Sequence, residues 1–384
     1  MEPTFPTRAG QYLPQLTGYR AFIPAPLPPI PPILLDPELT ELLSAADRAL
    51  GRLDGSVLTL PNPDLFVFMY VRKEAVLSSQ IEGTQSSLQD LLAAEAQLFS
   101  PELPRDVDEV LNYVQAMNHG LSRLSELPVS VRLIREIHEK LMDGVRGGQL
   151  RPGELRTSQN WIGPQGSTLA TASFVPPPHG VVPGALSDLE TYLHTDGGLP
   201  PLVKVALAHV QFETIHPFLD GNGRVGRLLI TFLLTEQKIL HKPVLYLSYY
   251  FKRNRQAYYD HLQAVREAGR WEAWLAFFLR GVVEVSAEAA EKARAVLMLR
   301  ESHRTAITER LGRAAGNGHK VLESLYDRPI VGVSDVVSQT GTTWAAANQL
   351  VARFVELGIL TEVTGYARNR RFRYSQYIAL FNEG

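Results

Sequence analysis

Apolar residues recur at the spacing of amphipathic helices along most of this chain. Asp36-Pro37-Glu38-Leu39 opens the first such run, with Asp36 suited to cap it and Pro37 to its first position. Leu39, Leu42, Leu43, Ala46 and Leu50 then share one face. After a turn at Pro61-Asn62-Pro63-Asp64, a second helix is predicted from about Leu65 to Ile81, closing on Glu82-Gly83. A third starts near Ser87, whose hydroxyl and Asp90 have capping-box spacing. Further helices are predicted at about 106–123, 130–142, 186–195 and 202–215, and Leu228, Leu229, Phe232 and Leu233 mark another. Beyond 245–251 come helices through Tyr258, Leu262 and Val265, then 271–285 and a charged amphipathic one at 286–310.

Three stretches interrupt this pattern. Residues 22–35 alternate proline with Ile23, Leu27, Ile30 and Ile33, which predicts an extended polyproline strap packed along the body. Residues 151–182 are rich in Gly, Pro, Ser and Thr, with weak alternation, and predict a β-hairpin or flap acting as a lid. Gly312 to Gly318 reads as a linker. After it, helix 319–326, the run Ile330 to Val333, helices 334–339 and 342–357 around Thr340-Gly341, and strand-like runs 360–363 and 371–374 suit a winged helix-turn-helix. The fold class is therefore mainly α, a helical core with a flap and a C-terminal winged helix. The expected division is an N-terminal region 1–105, a core 106–285, a helical linker 286–316 and the winged helix 317–384.

Composition narrows the function. A net charge of −2 excludes a globally basic nucleic-acid or anionic-membrane binder. The absence of cysteine removes disulfides, thiolate metal sites and a cysteine nucleophile. No signal peptide is visible after Met1, and the most apolar runs are too short to cross a bilayer, so a cytoplasmic protein without membrane contact is expected.

The chemistry concentrates between two helical runs, in His216-Pro217-Phe218-Leu219-Asp220-Gly221-Asn222-Gly223-Arg224-Val225-Gly226-Arg227. Gly221 and Gly223 let successive amides point at one spot before a helix N-terminus, which suits an anion. Arg224 and Arg227 are spaced to share a helix face, and their planar forks suit phosphate oxygens. Asp220 is a hard oxygen ligand for magnesium arriving with a nucleotide. His216 titrates near neutrality, as a general base must. Asn222 adds an amide donor for developing negative charge, and Phe218 reads as core. Each feature alone has a bland account; their conjunction does not.

These residues resemble the Fic-domain signature at every defining position, and the resemblance extends over Arg156 to Gly163, Phe174 to Pro178 and Tyr246 to Asn254. Most Fic proteins are protein adenylyltransferases, which move AMP from ATP to a hydroxyl side chain. The resemblance implies that His216 deprotonates the target hydroxyl and that Asp220 holds Mg2+. Gly221, Asn222, Gly223, Val225 and Gly226 would line the phosphates, with Arg224 and Arg227 gripping the outer ones. It further implies that Tyr246 and Asn254 contact the nucleoside, and that Thr171, Ala172, Ser173 and Phe174 form a flap pairing with a target segment. Ser78, Glu82 and Gly83 match an inhibitory motif that lies N-terminal to the core in one class of the family, class II. Glu82 and the γ-phosphate would then compete for Arg227, leaving a low-activity resting state.

The expected partners are ATP, a target protein and the chain itself, and a homodimer is compatible with the residues. Two rival functions remain open at this point. One is the reverse reaction, hydrolytic removal of AMP. The other is a DNA-binding regulator with a nucleotide-sensing core, in which Thr342, Thr343, Trp344 and Asn348 face DNA and Arg368, Asn369, Arg370, Arg371 and Arg373 reach phosphates. Asp327, Asp335, Glu356 and Glu362 dilute that basic charge, and docking of the module on the core or self-association is the plainer alternative.

Overall fold

The computed structural model describes residues 7–382 except 17, 59, 61–62, 97–103, 105, 165 and 366–367; part of the turn expected at Pro61-Asn62 lies outside these. The protein is mainly helical. A short antiparallel hairpin comes first, β1 (Gly10–Pro14) with β2 (Arg20–Pro24), in the register Gly10 opposite Pro24. The start of the expected polyproline strap is thus a strand. Further along it Leu27, Ile33 and Leu35 pack on the core, whereas Ile30 is 84% exposed.

Helix α1 (Pro37–Leu58) begins as its sequence dictates, with the Leu39 amide donating to Asp36 Oδ1 at 2.8 Å. Its apolar face lies along the long helix Trp271–Leu311. Helix α2 (Asp64–Ile81) ends at Glu82, and Gly83 follows with φ 101°, a conformation that favours glycine. Helix α3 (Leu88–Glu95) carries the capping box expected of Ser87 and Asp90. Helices α4 (Val107–Arg123), α5 (Val131–Leu141) and α6 (Val182–His194) follow.

Helices α7 (Pro201–Ile215) and α8 (Asn222–Glu236) form the centre. Both are buried nearly all round, so their apolar residues do not fall on one stripe. Close packing there depends on small residues: a Cβ on Gly120 of α4 would lie 2.4 Å from the Phe232 ring of α8. Helices α9 (Ser248–Arg253) and α10 (Arg255–Ala268) complete the core.

Two expectations are corrected beyond this point. Residues 271–285 and 286–310 are not two helices but one, α11 (Trp271–Leu311), 41 residues long. Burial along it passes from Trp271, Trp274 and Phe278 to Ala289, Ala293 and Ile307, so a contact face persists where the sequence turns charged. The linker at 312–318 shrinks to a turn at Gly312–Ala314, and helix α12 (Ala315–Asp327) starts at once. Gly318 fits there because a side chain would collide with Leu311 and Ile307.

The C-terminal unit continues with β3 (Ile330–Gly332), α13 (Val333–Thr340), α14 (Trp344–Glu356), β4 (Thr361–Glu362), β5 (Arg371–Arg373) and α15 (Ser375–Asn382). Its strands form an antiparallel sheet in the order β3-β5-β4. Tyr326, Tyr374 and Tyr377 fill its core. The unit is docked, not tethered: Phe381 of α15 packs on Phe66 and Tyr70 of α2, with ring centroids 6.4 and 5.4 Å apart. No helix among the described residues is long and apolar enough to cross a membrane.

Gly120→Ala should destabilise the core by about 1–3 kcal/mol, because the added methyl forces apart a packed helix crossing. Urea unfolding followed by tryptophan fluorescence checks this; an unchanged midpoint contradicts the packing argument.

Candidate active site

The loop between α7 and α8 is held from three sides. His216 ends α7 in the left-handed region, φ 49°, ψ 60°, which is uncommon for a residue other than glycine. Its carbonyl accepts from Arg156 Nε at 2.9 Å and from Asn160 Nδ2 at 3.3 Å. The Arg156 amide donates to Pro217 O at 3.0 Å. Phe218 is buried, as expected, and its ring stacks on His138 with centroids 3.7 Å apart. His138 Nδ1 accepts from the Gly153 amide at 2.8 Å, so its proton sits on Nε2 and is donated to Asp220 O at 3.1 Å. Burial lowers the His138 pKa to about 4, which keeps this tautomer neutral.

Asn222 corrects the sequence reading. Its side chain is buried and turned back on the loop: Oδ1 accepts from the Phe218 amide at 2.8 Å and Nδ2 donates to Phe218 O at 2.9 Å. The residue shapes the loop. The anion-binding capacity rests instead on the backbone amides of Asn222, Gly223 and Arg224, which the first turn of a helix leaves without intrahelical acceptors. Gly221 enters that turn with φ 76°.

The two arginines do not grip together. Arg224 turns to α4, where Nη1 donates to Glu109 Oε2 at 3.1 Å, and it is buried. Arg227 turns to the end of α2: Nε donates to Ser78 Oγ at 2.8 Å, and Nη2 donates to Ser78 O at 2.9 Å and Glu82 Oε1 at 2.7 Å. Burial is the largest influence and works against the Arg227 charge, but Glu82 together with Tyr258, Tyr259 and Glu213 outweighs it and holds the pKa above the usual value. The same carboxylate overhangs the first turn of α8, since a Cβ on Gly223 would lie 2.3 Å from Glu82 Oε1. An anionic group therefore already lies beside the first turn of α8. The end of α2 is fixed there by Arg255 Nε donating to Ile81 O at 3.1 Å.

His216 is mostly buried. Burial first, then the charges of Arg266 and Arg156, lower its pKa to about 3, so the near-neutral titration expected of an imidazole is not found here and the ring is neutral at neutral pH. Asp220 is half-buried, with Oδ1 accepting from the Gly221 amide at 2.6 Å. The described residues hold no cluster of three or more carboxylates or histidines. One carboxylate beside a phosphate cradle does fit a magnesium ion, which keeps water and substrate oxygens as most of its ligands.

Tyr246 stands apart from the loop: it is 1% exposed, packed against Tyr70 and under the Lys73 ammonium. In this arrangement it presents no face to a nucleoside. Asn254 joins α9 to α10, its Nδ2 donating to Tyr250 O at 3.0 Å. The expected flap hairpin reduces to one antiparallel bridge, Ile162 with Phe174. Phe174 is buried, with the Arg266 guanidinium 3.9 Å from its ring centre, whereas Thr171 and Ser173 are exposed. The hairpin at the N-terminus joins this segment, with the Phe22 amide donating to Val175 O at 2.9 Å. Tyr12, Arg20, Ala172, Ser173 and Arg266 help line a groove of about 610 Å³ between the two.

Glu213, Glu109, Arg156 and Arg266 were missed in the sequence. The signal for Glu213 is a carboxylate on a helix whose other positions from Val205 to Ile215 are all buried. Charge on such a helix needs a reason.

The Fic/DOC family N-terminal model matches residues 40–122 and the Fic/DOC family model matches residues 128–234. This chain belongs to the Fic family. It is 28% identical over 205 residues to a probable protein adenylyltransferase of Aquifex aeolicus, covering 53% of this chain and 56% of the relative. It is 30% identical over 163 residues to the protein adenylyltransferase Fic of Drosophila willistoni, covering 42% of this chain and 29% of the relative. The chain thus spans about half the length of the first and under a third of the second. Among solved structures, a Fic family protein from Desulfovibrio desulfuricans G20 has the same fold, with TM-score 0.58 and 20% identity over 89% of this chain and 97% of that one.

Ser78 is fully buried and serves Arg227 through both hydroxyl and carbonyl. Ser78→Ala should destabilise the protein by about 1–3 kcal/mol, because a buried guanidinium donor loses its acceptor. Thermal unfolding of the two proteins checks this, and equal melting temperatures would remove Ser78 from the account.

Proposed function

We propose that this chain is an autoinhibited protein adenylyltransferase, moving AMP from ATP to a Ser, Thr or Tyr hydroxyl of a target protein or of itself and releasing diphosphate. The observation that carries the reading is the Glu82 carboxylate lying on Arg227 and over the first turn of α8. A resting carboxylate marks where the anionic phosphates of the substrate belong.

His216 accepts the proton of the attacking hydroxyl, and the hydroxyl oxygen displaces diphosphate from the α-phosphorus. The amides of residues 222–224 receive the phosphate oxygens. Arg227, once free of Glu82, supplies charge to the outer phosphates, and Asp220 would hold Mg2+, which neutralises phosphate charge when bound. Arg224 acts through its pair with Glu109, holding α8 to α4. Thr171 to Ser173, exposed beside the groove, are suited to meet an extended target segment. ATP and Glu82 compete because a buried guanidinium cannot serve two anions in one geometry. Misplaced phosphates are costly for in-line attack.

Glu82→Gly should raise self-incorporation of label from α-labelled ATP with magnesium, and Glu82→Gly with His216→Ala should abolish it while nucleotide binding persists. Incorporation by Glu82→Gly no greater than wild type would sink the autoinhibition. Glu82 keeps a side chain about one third exposed, so it is also placed to orient water for the reverse hydrolysis. Release of label from pre-modified protein by the wild type, but not by Glu82→Gly, would assign that activity.

The C-terminal unit has the order of a winged helix, and we propose that it binds duplex DNA. The supporting observation is α14, whose N-terminal half exposes Thr343, Trp344, Ala345 and Ala346 without an acidic side chain. Beside it a cleft of ≈ 520 Å³ is lined by Trp344, Asn348 and residues 368–371. Arg371 and Arg370 are partly offset by Asp335 and Glu362, so affinity should be modest and steep in salt. Fluorescence anisotropy of random duplex with the full chain should show salt-sensitive binding that Trp344→Ala weakens; no binding at low salt would leave the unit as a docking module.

A further inference from the structure

Two polar atoms buried in the site have no hydrogen-bond partner, and they belong to adjacent side chains: His216 Nδ1 and Glu213 Oε1. The other oxygen of that carboxylate, Glu213 Oε2, lies 4.0 Å from His216 Nδ1, with the Glu213 side chain only 7% exposed. A buried carboxylate without hydrogen bonds is destabilising. Room for it is made deliberately: a Cβ on Gly226 would lie 2.2 Å from Glu213 Oε1, so α8 needs glycine where it passes. Arg227, whose bonds go to Ser78 and Glu82, makes no ion pair with Glu213 among the described residues. Arg266 holds the Glu213 peptide through Nη2 to its carbonyl at 3.1 Å. Packing alone gives no account of a charge at this position.

We propose that Glu213 is a positioning residue for His216, accepting a hydrogen bond from Nδ1–H so that the ring turns an unprotonated Nε2 toward the reacting hydroxyl. The inference rests on His216 being the base of the AMP transfer described above. The ring need move little to close the gap to hydrogen-bond length, and such bonds are often long before substrate binds. Which nitrogen carries the proton is set by the bond the other nitrogen makes.

The groups facing His216 are Glu213 on α7, Arg266 on α10 and Arg156 on the loop before the flap; both arginines disfavour the imidazolium. The backbone of Glu213 also hydrogen-bonds toward the ring and, as the smallest of these influences, favours the imidazolium. Burial raises the Glu213 pKa to about 7, with Arg227 pulling the other way. Near neutrality the pair therefore exchanges one proton as a unit. With the carboxyl protonated, it donates to Nδ1, and the ring proton sits on Nε2, facing the cleft. Loss of one proton yields carboxylate, Nδ1–H and a free Nε2. During transfer the hydroxyl proton moves to Nε2 and the hydroxyl oxygen bonds to the α-phosphorus. The bond from that phosphorus to diphosphate breaks, and its electron pair leaves with diphosphate. Glu213 then faces the imidazolium it has helped to form.

The test compares Glu213→Gln with its parent, both in the full chain carrying Glu82→Gly. The expected result is a loss of kcat on the order of tenfold to a hundredfold with KM for ATP unchanged. The acid limb of the kcat–pH profile should also move to lower pH, because the proton that the pair takes up near neutrality no longer has a carboxylate to receive it. A kcat loss that leaves the limb in place, or no kcat loss, overturns the proposal. A second readout needs no transfer activity: histidine 15N shifts of the ATP-free wild-type chain, with His216→Ala assigning the signal. Above the titration of the pair, the proton should be on Nδ1, and Glu213→Gln should shift the titration. A ring protonated on Nε2 at every pH overturns the role of Glu213 whether or not AMP is transferred. An Nδ1 proton with no transfer by Glu82→Gly leaves the pair standing and removes the adenylyltransferase reading.

Discussion

One guanidinium holds the site in its present state. Arg227 is 2% exposed, and a buried charge needs partners, which here come from a helix far away in sequence. Ser78 satisfies part of it without carrying charge, and Glu82 supplies the counter-ion. The division is physically apt: the serine contacts keep the arginine fixed, and in the proposed autoinhibition the more exposed carboxylate is the partner that phosphate displaces. Had the pair been fully enclosed, exchange for phosphate would be slow as well as costly. Instead the acid sits at the rim, against the helix terminus that phosphate would use.

The rest of the site is built to hold a strained loop still. His216 adopts a left-handed backbone, Asn222 closes a ring of bonds on Phe218, and His138 ties the Asp220 carbonyl. These contacts use side chains that look functional on paper for a structural end. Preorganisation of this kind is what electrostatic catalysis requires, because dipoles that are already aimed need not reorient during reaction.

The helices were legible wherever one face alone is buried, as in α1 with Asp36 at its start or α3 with its capping box. The site was legible as a set of residues because its motif is contiguous, and the partnership of Arg227 with Glu82 followed from a second motif upstream. What escaped was direction. Arg224 and Arg227 share a helix face by spacing, yet the long side chains diverge, Arg224 to the buried Glu109 and Arg227 to Glu82 at the rim. Asn222 was read as a donor to ligand because nothing in spacing shows that its amide is used locally. Tyr246 was placed at the nucleoside, but aromatic packing with Tyr70 encloses it. The break inside 271–311 was inferred from a change in charge, whereas the contact face continues through it.

Helix α2 has a property that none of its residues has singly. It is 18 residues long, a rod of about 27 Å at helical rise. One end bears Phe66 and Tyr70 against α15, and just past the other end is the carboxylate on Arg227. Such a rod transmits tilt rather than absorbing it. The C-terminal unit and the loop after α7, remote from each other in sequence, thus meet opposite ends of one helix.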